Sequence, residues 1–280
     1  MTVINTNVAS LTSQAAIAAN SRGLSKAMQQ LSTGRRINSA ADDAAGLAIS
    51  DKLTAQIKGL NQAVRNANDA ISMLQTAEGA TNEITNMLQR MRELAVQAAN
   101  DTNGTDERTA LNNEFSNLRT EINRVASSTS FNSMNLLDGS AASSTGLVSF
   151  QVGATYSSAN TVTFTFSSFA TSGSITNAIA SNVLTSLSGA QTALDAVDTA
   201  IQNVDTQRAS MGALSNRFQY TVDNLTNISV HASESRSRVT DTDYSEATAE
   251  LAKHQIIQQA ATAMLAQANQ QPQQVLTLLK

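Results

Sequence analysis

The apolar residues near the two ends of the chain recur at helical intervals. From the amino terminus they follow one another in steps of three and four as far as Leu31, where Ser32-Thr33-Gly34 interrupts them. A second such stripe begins at about Tyr244 and continues past Pro272. This spacing predicts one helix at each end of the chain. The larger apolar residues of the two stripes, which form an apolar seam, are Ile4, Val8, Leu11, Leu24, Met28, Leu31, Leu251, Ile257, Met264, Leu276 and Leu279.

Longer helices are predicted between these ends. Heptad spacing from Leu53 to Leu74 is typical of a coiled-coil seam. It resumes after one phase slip as far as Ala98, which predicts a single long helix. Residues 100–108 form a predicted turn, and another heptad stripe follows it. Helical spacing returns over 187–225, so the chain predicts a second long helix there.

Residues 127–180 differ from the rest of the chain because they contain a single charged residue, Asp138, among many Ser, Thr, Gly and Asn. Apolar and polar residues alternate over 148–152 and again over 161–166. Alternation with β-branched and aromatic residues is typical of strands. We therefore expect a β-hairpin at about 140–176.

Two polar breaks separate the terminal helices from the long ones. Gly34 is suited to end the first helix, and Ser39, with Asp42 three residues later, predicts the capped start of a short second helix. Residues 231–243 are polar and lack an apolar stripe, so they predict the matching break. Because an isolated apolar stripe needs a partner, the mirror-like order predicts that the chain folds back on itself.

The predicted fold class is therefore mainly α. We expect a long antiparallel helical coiled-coil bundle, formed by the N- and C-terminal segments folding back, with a small central β-hairpin region. Charged residues are 14% of the chain, against roughly 25% in an ordinary soluble domain. Helices this poor in charge suit a protein covered on several sides by other chains, although a mildly polar monomer is the simpler alternative.

The composition argues against several classes of function. The net charge of −4 gives no reason to expect a nucleic-acid partner. No apolar run reaches about 18 residues, so we expect no membrane insertion. The first residues lack the features of a secretory signal peptide. With two histidines and no cysteine, the sequence predicts no catalytic site, no metal site, no cofactor and no enzyme activity.

Several long stretches resemble bacterial flagellin, the filament subunit. They occur in that family's order and cover both ends and most of the chain between. The stretches are MTVINTNVASL, LSTGRRINSAADDAAGLAIS, LQRMRELAVQAAN, FNSMNLLDGS, FQVGA and QANQQPQQVLTLLK.

The resemblance implies a domain organisation. Residues 1–32 and 245–280 would form an inner coiled-coil core, and 33–56 with 231–244 a spoke connector. Residues 57–230 would form an outer core domain containing the long helices and the hairpin. The short step from hairpin to returning helix is typical of a minimal flagellin without outer variable domains.

The resemblance also implies a function and partners. The chain would polymerise with itself into the flagellar filament for swimming motility, with the apolar seam serving self-assembly. It would leave the cell unfolded through the flagellar type III apparatus and be located outside the cell. A flagellar export chaperone would cover the C-terminal helix, and filament cap and hook-junction proteins would be further partners.

Flagellins are also ligands of Toll-like receptor 5 in animal hosts. The residues implied for that contact are Gln89, Arg90, Leu94 and Glu114. By helical spacing alone Arg90 falls away from the apolar stripe of Leu88, Met91 and Ala95, so a solvated helix face is the simpler interpretation. We expect folding back to bring Arg90 near Glu114 on another helix.

Charged residues in the spoke connector have two interpretations. Arg35, Arg36, Asp42 and Asp43 are candidates for salt bridges between subunits, or else solvated charges, since exposed pairs contribute little.

Three other functions stay open on the sequence. A hook–filament junction adaptor protein shares the plan of the terminal helices. A flagellin-like enzyme would need a zinc motif in the central region, where residues 127–180 contain no His or Cys. An unrelated extracellular coiled-coil adhesin would lack the matched ends.

Overall fold

A computed structural model describes residues 6–141, 146–170, 179 and 183–278, with side chains described up to residue 270. The predicted fold class is confirmed, since long helices dominate and the sheets are small. The helices are α1 (Val8–Thr33), α2 (Ala44–Ala98), α3 (Thr105–Ser128), α4 (Leu187–Thr240) and α5 (Tyr244–Leu278). The strands are β1 (Ser130–Phe131), β2 (Met134–Asn135), β3 (Leu147–Gln151) and β4 (Thr161–Thr165).

The chain divides into two compact units. The terminal unit consists of residues up to 57 and from 230 onwards, and the central unit consists of residues 58–229. The helices α2 and α4 contribute residues to both units.

The central unit has a large apolar core. Heptad residues of α2 such as Leu88 and Met91 are fully buried, together with Phe115 of α3 and Phe218 of α4. Phe218 also meets Phe150 of β3 edge to face, with ring centroids 5.4 Å apart. This geometry is favourable for aromatic pairs and adds to the stabilisation from burial.

The predicted hairpin is formed by β3 and β4, which pair antiparallel with Phe150 opposite Val162. The Asn66 side chain of α2 donates a hydrogen bond to the Gln151 carbonyl at 3.0 Å. A Cβ atom on Gly59 of α2 would lie 2.9 Å from that of Ala154. The glycine therefore permits the close approach of the loop that follows β3.

A second, very short hairpin was not predicted. Strands β1 and β2 are joined through Asn132 and Ser133, whose φ angles of 49° and 64° lie in the left-handed region. Two consecutive residues with positive φ are typical of a tight hairpin turn. Strands of two residues are too short to give a periodic signal in the sequence.

The terminal unit is built around an antiparallel pair of helices, α1 and α5. The residues of α1 that this unit buries are Ser10, Asn20 and Ala27, while Ala247 and Ala268 are buried on α5. Half-buried large apolar residues, among them Leu24 and Leu251, lie along the same faces of the two helices.

The connection between the terminal helices and the long ones is tightly bonded. Gly34 ends α1 in the left-handed conformation, at φ 69°, as predicted. Beyond it the Arg36 amide donates to the Thr240 carbonyl at 2.7 Å, and the Thr242 amide donates to the Gly34 carbonyl at 3.0 Å. These backbone bonds hold one end of the α1–α5 pair in register.

The predicted start of the second helix at Ser39 is wrong. Residues 39–42 form a turn in which Asp42 accepts hydrogen bonds from the Ser39 amide and hydroxyl. Helix α2 begins at Ala44, and Asp43 caps it by accepting from the Gly46 amide at 2.8 Å. Of two adjacent aspartates, the second thus satisfies a helix amide that would otherwise lack a partner.

The predicted break over 231–243 is also largely wrong, because α4 continues to Thr240. One side of this last part is buried at Ala232 and Thr240. Glu234 lies 3.8 Å from Arg238, one helical turn later. Small buried residues and pairs at this spacing support a helix without a stripe of large apolar residues.

Candidate assembly surface

Several large apolar side chains of α1 are exposed in the single chain. Val8, Leu11 and Met28 are each 56% exposed, while Leu24 and Leu31 are half-buried. Leu24 and Leu31 therefore line the α1–α5 contact beside the small buried residues, while the exposed members of the apolar seam lie on the outer face of α1.

Helix α5 shows the same arrangement. Met264 is 64% exposed, Ile257 is 40% exposed, and Leu251 is half-buried. Ile256, which helical spacing did not select, is 66% exposed beside Ile257. Among the other predicted seam residues, Ile4 and Leu279 lie outside the described residues, and the side chain of Leu276 is also outside them.

We call these exposed side chains the assembly surface. Its members are Val8, Leu11 and Met28 of α1 with Ile256, Ile257 and Met264 of α5. Single exposed apolar residues are normal on monomers, but a series along both members of one helix pair is typical of a surface that other chains cover.

The predicted connector charges are bonded mainly within the chain. Lys26, which the sequence analysis did not single out, lies 3.1 Å from the Asp42 carboxylate. Hydrogen bonds from Lys26, and then from Ser39 and Asn38, hold the pKa of Asp42 below its usual value. Asp42 is therefore largely engaged before any second subunit arrives.

The arginines of the connector remain on the surface. Arg35 and Arg36 are both exposed, and the Arg36 guanidinium donates to the Val239 carbonyl at 2.9 Å. Of the two aspartates, Asp43 is also exposed, whereas Asp42 is half-buried. Asp43 also caps α2 through one of its carboxylate oxygens, which accepts from the Gly46 amide.

Arg90 joins two helices of the central unit. Its guanidinium lies 2.8 Å from Glu93 on the same helix and 2.9 Å from Glu114 on α3. These carboxylates, Glu93 first, raise the pKa of Arg90. The expected proximity of Arg90 and Glu114 is thus present, and the pair lies at the surface.

The other residues implied for a receptor contact are placed differently. Gln89 is exposed beside Arg90, but Leu94 is only 1% exposed and belongs to the core. Leu94 therefore supports this surface from beneath, since it shares the buried side of α2. A neighbouring ion pair, which the sequence did not indicate, joins Arg92 to Asp198 of α4 at 2.6 Å.

The described part of the chain shows neither a metal-binding cluster nor a membrane-spanning helix. No group of three or more His, Cys, Asp or Glu side chains lies there in a position to hold a metal ion. None of the described helices combines the length and the apolar character needed to cross a membrane.

Comparisons with known proteins agree with the sequence resemblance. The bacterial flagellin N-terminal helical region matches residues 4–142, and the C-terminal helical region matches residues 194–279. A flagellin of Halalkalibacterium halodurans is 44% identical over 278 residues, which cover 99% of this chain and 100% of the relative.

Flagellin B of Vibrio anguillarum is 36% identical over 377 residues, which cover 99% of this chain and 99% of the relative. That alignment is longer than the 280 residues of this chain, so the Vibrio protein has segments that this chain lacks.

Solved structures show the same fold. The crystal structure of Bacillus cereus flagellin matches with a TM-score of 0.50 and 33% identity, over 57% of this chain and 88% of that chain. A flagellar hook-associated protein from Vibrio parahaemolyticus matches with a TM-score of 0.58, over 71% of this chain and 100% of that chain. Its identity of 14% is too low to indicate more than a shared fold.

Proposed function

Because the chain belongs to the bacterial flagellins, the structural subunits of the extracellular flagellar filament, we propose that its assembly surface joins one copy to the next. The observation that carries this proposal is the exposure of large apolar side chains, such as Leu11 and Met264, on both terminal helices. The family is structural, so the chain is not an enzyme. It is a short member that lacks the variable domain of larger flagellins.

The proposed assembly is open-ended. One face of each subunit contacts a different face of the next, which produces a helical filament when the rotation does not close a ring. Residues 1–32 and 245–280 would line the inner layer, and each large apolar side chain fully buried there would contribute roughly 1.5–3 kcal/mol. Contacts repeated across several neighbours would then hold the polymer together, and the filament would turn motor torque into thrust.

Seeded reassembly tests this proposal. Filaments dissociated by acid or heat are returned to neutral pH with short seeds, and electron microscopy follows their growth. Met264→Glu places a charge on the assembly surface, so we expect it to stop growth. Gln259→Glu adds the same charge at an exposed polar position of the same helix and should still grow. Normal filaments from Met264→Glu would contradict the proposal.

We also propose connector contacts between subunits through Arg35, Arg36 and Asp43, whose side chains are exposed, and the two arginines provide the test. Replacing both with alanine should lower the temperature at which filaments dissociate and should leave the melting of the monomer unchanged. Equal filament stability and equal swimming would show that both are solvated charges.

We also propose export through the flagellar type III apparatus with a chaperone on α5. Exposed Ile256 and Met264 support this, because an uncovered apolar helix invites aggregation before assembly. A chaperone bound to α5 should protect that helix from proteolysis and keep the monomer from polymerising. Unchanged proteolysis of α5 with the chaperone present would contradict the chaperone contact.

Filament cap and hook-junction proteins are further proposed partners of the same terminal helices.

A second proposed role is binding to Toll-like receptor 5 in an animal host. The exposed ion pair of Arg90 and Glu114, with Gln89 beside it, supports this role. Purified Arg90→Ala monomer should signal more weakly than the unmodified monomer. Arg124→Ala is the matched control, because Arg124 also forms an exposed ion pair, with Glu121. Equal signalling by Arg90→Ala and the unmodified monomer would remove this role.

The remaining alternative is a hook–filament junction adaptor, which would have few copies in each organelle. The 44% identity to a flagellin along nearly the whole chain favours the filament subunit. Quantitative mass spectrometry of sheared filaments separates the two, since a filament subunit would be their main component.

A further inference from the structure

The methionines of the two units differ in exposure. In the central unit Met73, Met91 and Met211 belong to the apolar core and are at most 3% exposed. In the terminal unit Met28 of α1 is 56% exposed and Met264 of α5 is 64% exposed. The methionines most open to solvent among the described ones therefore belong to the assembly surface. The remaining methionines, two half-buried and one outside the described residues, are Met87, Met134 and Met1.

Methionine is the readily oxidised side chain of this protein. The chain contains no cysteine and no tryptophan, so its thioether sulfurs are the side-chain atoms that a peroxide oxidises most readily. In that reaction a sulfur lone pair attacks one oxygen of hydrogen peroxide, the O–O bond breaks and an S–O bond forms. The proton of the transferred oxygen joins the departing hydroxide, which leaves as water. The sulfur loses two electrons and the peroxide gains them, so methionine becomes methionine sulfoxide.

Burial protects the methionines of the central core from this reaction. A sulfur within a packed core meets the oxidant only when that part of the fold opens, and openings of a core are rare. The exposed side chains of Met28 and Met264 need no such opening. Their exposure also does not depend on the pairing of α1 with α5, because loss of that pairing uncovers more of each helix and covers neither side chain.

Oxidation would change the character of the assembly surface. The sulfoxide turns a flexible apolar side chain into a polar one whose oxygen accepts hydrogen bonds. In an apolar contact between subunits that oxygen would be buried without a donor, which is unfavourable. Met264 follows Ile257, also exposed, by seven residues, which is about two helical turns. Its oxidation would therefore place a polar oxygen on the same side of α5 as an exposed apolar residue.

We propose that Met28 and Met264 are oxidation sites that control assembly. Hydrogen peroxide converts them to sulfoxides in the free subunit, and a subunit oxidised there does not join a filament. Within a filament, neighbouring copies shield both side chains, so the oxidation acts on free subunits. A methionine sulfoxide reductase reverses the change, with thiols as the source of the two electrons. The effect on assembly rests on the proposed function, whereas the choice of methionines is tested in the monomer alone.

Peptide mass spectrometry of dilute monomer tests the choice of methionines. Trypsin places Met28, Met211 and Met264 on three separate peptides, because Lys and Arg residues lie between them. After brief treatment with hydrogen peroxide, Met28 and Met264 should oxidise at least about tenfold faster than Met211, since Met211 reacts only when the core opens. Circular dichroism checks that the treatment leaves the helical content unchanged. Equal rates at the three positions with unchanged helical content would overturn the proposal.

Seeded growth tests the effect on assembly. Peroxide-treated subunits should show a critical concentration at least about tenfold higher than untreated ones, because burying a sulfoxide without a donor is unfavourable. Met28→Leu with Met264→Leu keeps both side chains apolar and should grow equally well before and after treatment. Met73→Leu with Met211→Leu is the matched control, since it removes two buried methionines and keeps the exposed pair. Its growth should be weakened by treatment as in the unmodified chain, and equal weakening of both double variants would overturn the proposal.

Reduction and preformed filaments give two further measurements. Methionine sulfoxide reductase with dithiothreitol should restore the growth of treated, unmodified subunits. In preformed filaments Met28 and Met264 should oxidise at least about tenfold more slowly than in the monomer, because neighbouring copies cover them. Subunits that carry sulfoxide at both positions and still grow normally would overturn the proposal. Failure of the untreated chain to form filaments, with the monomer oxidised in the expected order, would instead count against the proposed function alone.

Discussion

The central and terminal units of this flagellin use apolar residues in opposite ways. In the central unit the large side chains, such as Phe115, Leu88 and Phe218, are fully buried within one chain. In the terminal unit, the α1–α5 contact buries serine, asparagine and alanine, while Leu11 and Met264 are more than half exposed. The central unit buries its large apolar side chains within the monomer, whereas the terminal unit leaves some of them exposed to neighbouring copies.

This difference explains how a subunit can fold and still polymerise. The apolar core stabilises the central unit before assembly, because burial removes its large side chains from water. The exposed apolar side chains of the terminal unit are removed from water only when other copies cover them. The same apolar content therefore supports folding in one unit and assembly in the other.

The strongest test of this division is removal of residues 1–32 and 245–280. The remaining chain should keep a cooperative thermal transition, because the core of the central unit is untouched, and should lose filament formation entirely. Calorimetry and electron microscopy measure the two properties. Filaments of the trimmed protein would show that the terminal helices are dispensable for assembly.

A core substitution should affect folding most. Phe218→Ala is expected to lower the free energy of unfolding by about 3–5 kcal/mol, because Phe218 is fully buried and contacts Phe150. Tyr220→Ala is the matched control on the same helix, since Tyr220 is 77% exposed, and should change stability by less than about 0.5 kcal/mol. Denaturant unfolding of monomers measures both. Similar losses would mean that this core does not dominate stability.

A substitution on the assembly surface should weaken polymerisation and leave the stability of the monomer almost unchanged. Leu11→Ala should change monomer unfolding by less than about 0.5 kcal/mol. Its critical concentration for polymerisation should rise by about tenfold, which corresponds to a loss of about 1.4 kcal/mol per subunit. Leu147→Ala, at an exposed leucine of the hairpin, is the control and should leave assembly unchanged. A raised critical concentration for Leu147→Ala alone would reverse our assignment of the surface.

The smallest expected effect concerns the connector. The folded protein holds the pKa of Asp42 below its usual value, chiefly through Lys26. Its stabilising effect is therefore fully present above about pH 4, the usual value of the group, and is lost as the pH falls through the lower folded value. Asp42→Asn should melt slightly earlier than the unmodified monomer at pH 7 and at the same temperature at pH 2.

Asp51→Asn, at an exposed aspartate of α2, serves as the control for charge removal. Thermal melts followed by circular dichroism give the comparison. A difference between Asp42→Asn and the unmodified protein that persists at pH 2 would show that the carboxylate acts through something other than its charge.

Much of the fold follows from the sequence where burial occurs within one chain. Heptad spacing located α2 because residues such as Leu60 and Leu74 are buried in the monomer. Alternation located the β3–β4 hairpin for the same reason. The family motifs indicated a filament subunit, although they could not show which side chains face outward.

Other features could not be predicted because local bonding decides them. Periodicity placed Leu11 and Met264 on apolar stripes, but it does not show which members of a stripe stay exposed in the single chain. It ended α4 early because small buried residues such as Ala232 give no strong stripe. It also overlooked Lys26, whose partner Asp42 is distant along the sequence and is brought close only by the turn after Gly34.

Cysteine labelling tests the central claim most directly. In a chain without native cysteine, Met264→Cys and the hairpin-loop control Tyr156→Cys can each be exposed to a soluble thiol reagent as monomer and as filament. Position 264 is 64% exposed and position 156 is 99% exposed in the single chain. We predict rapid labelling of both in the monomer, and in the filament rapid labelling only at position 156. Equal labelling of Met264→Cys in monomer and filament would contradict burial of this surface by assembly.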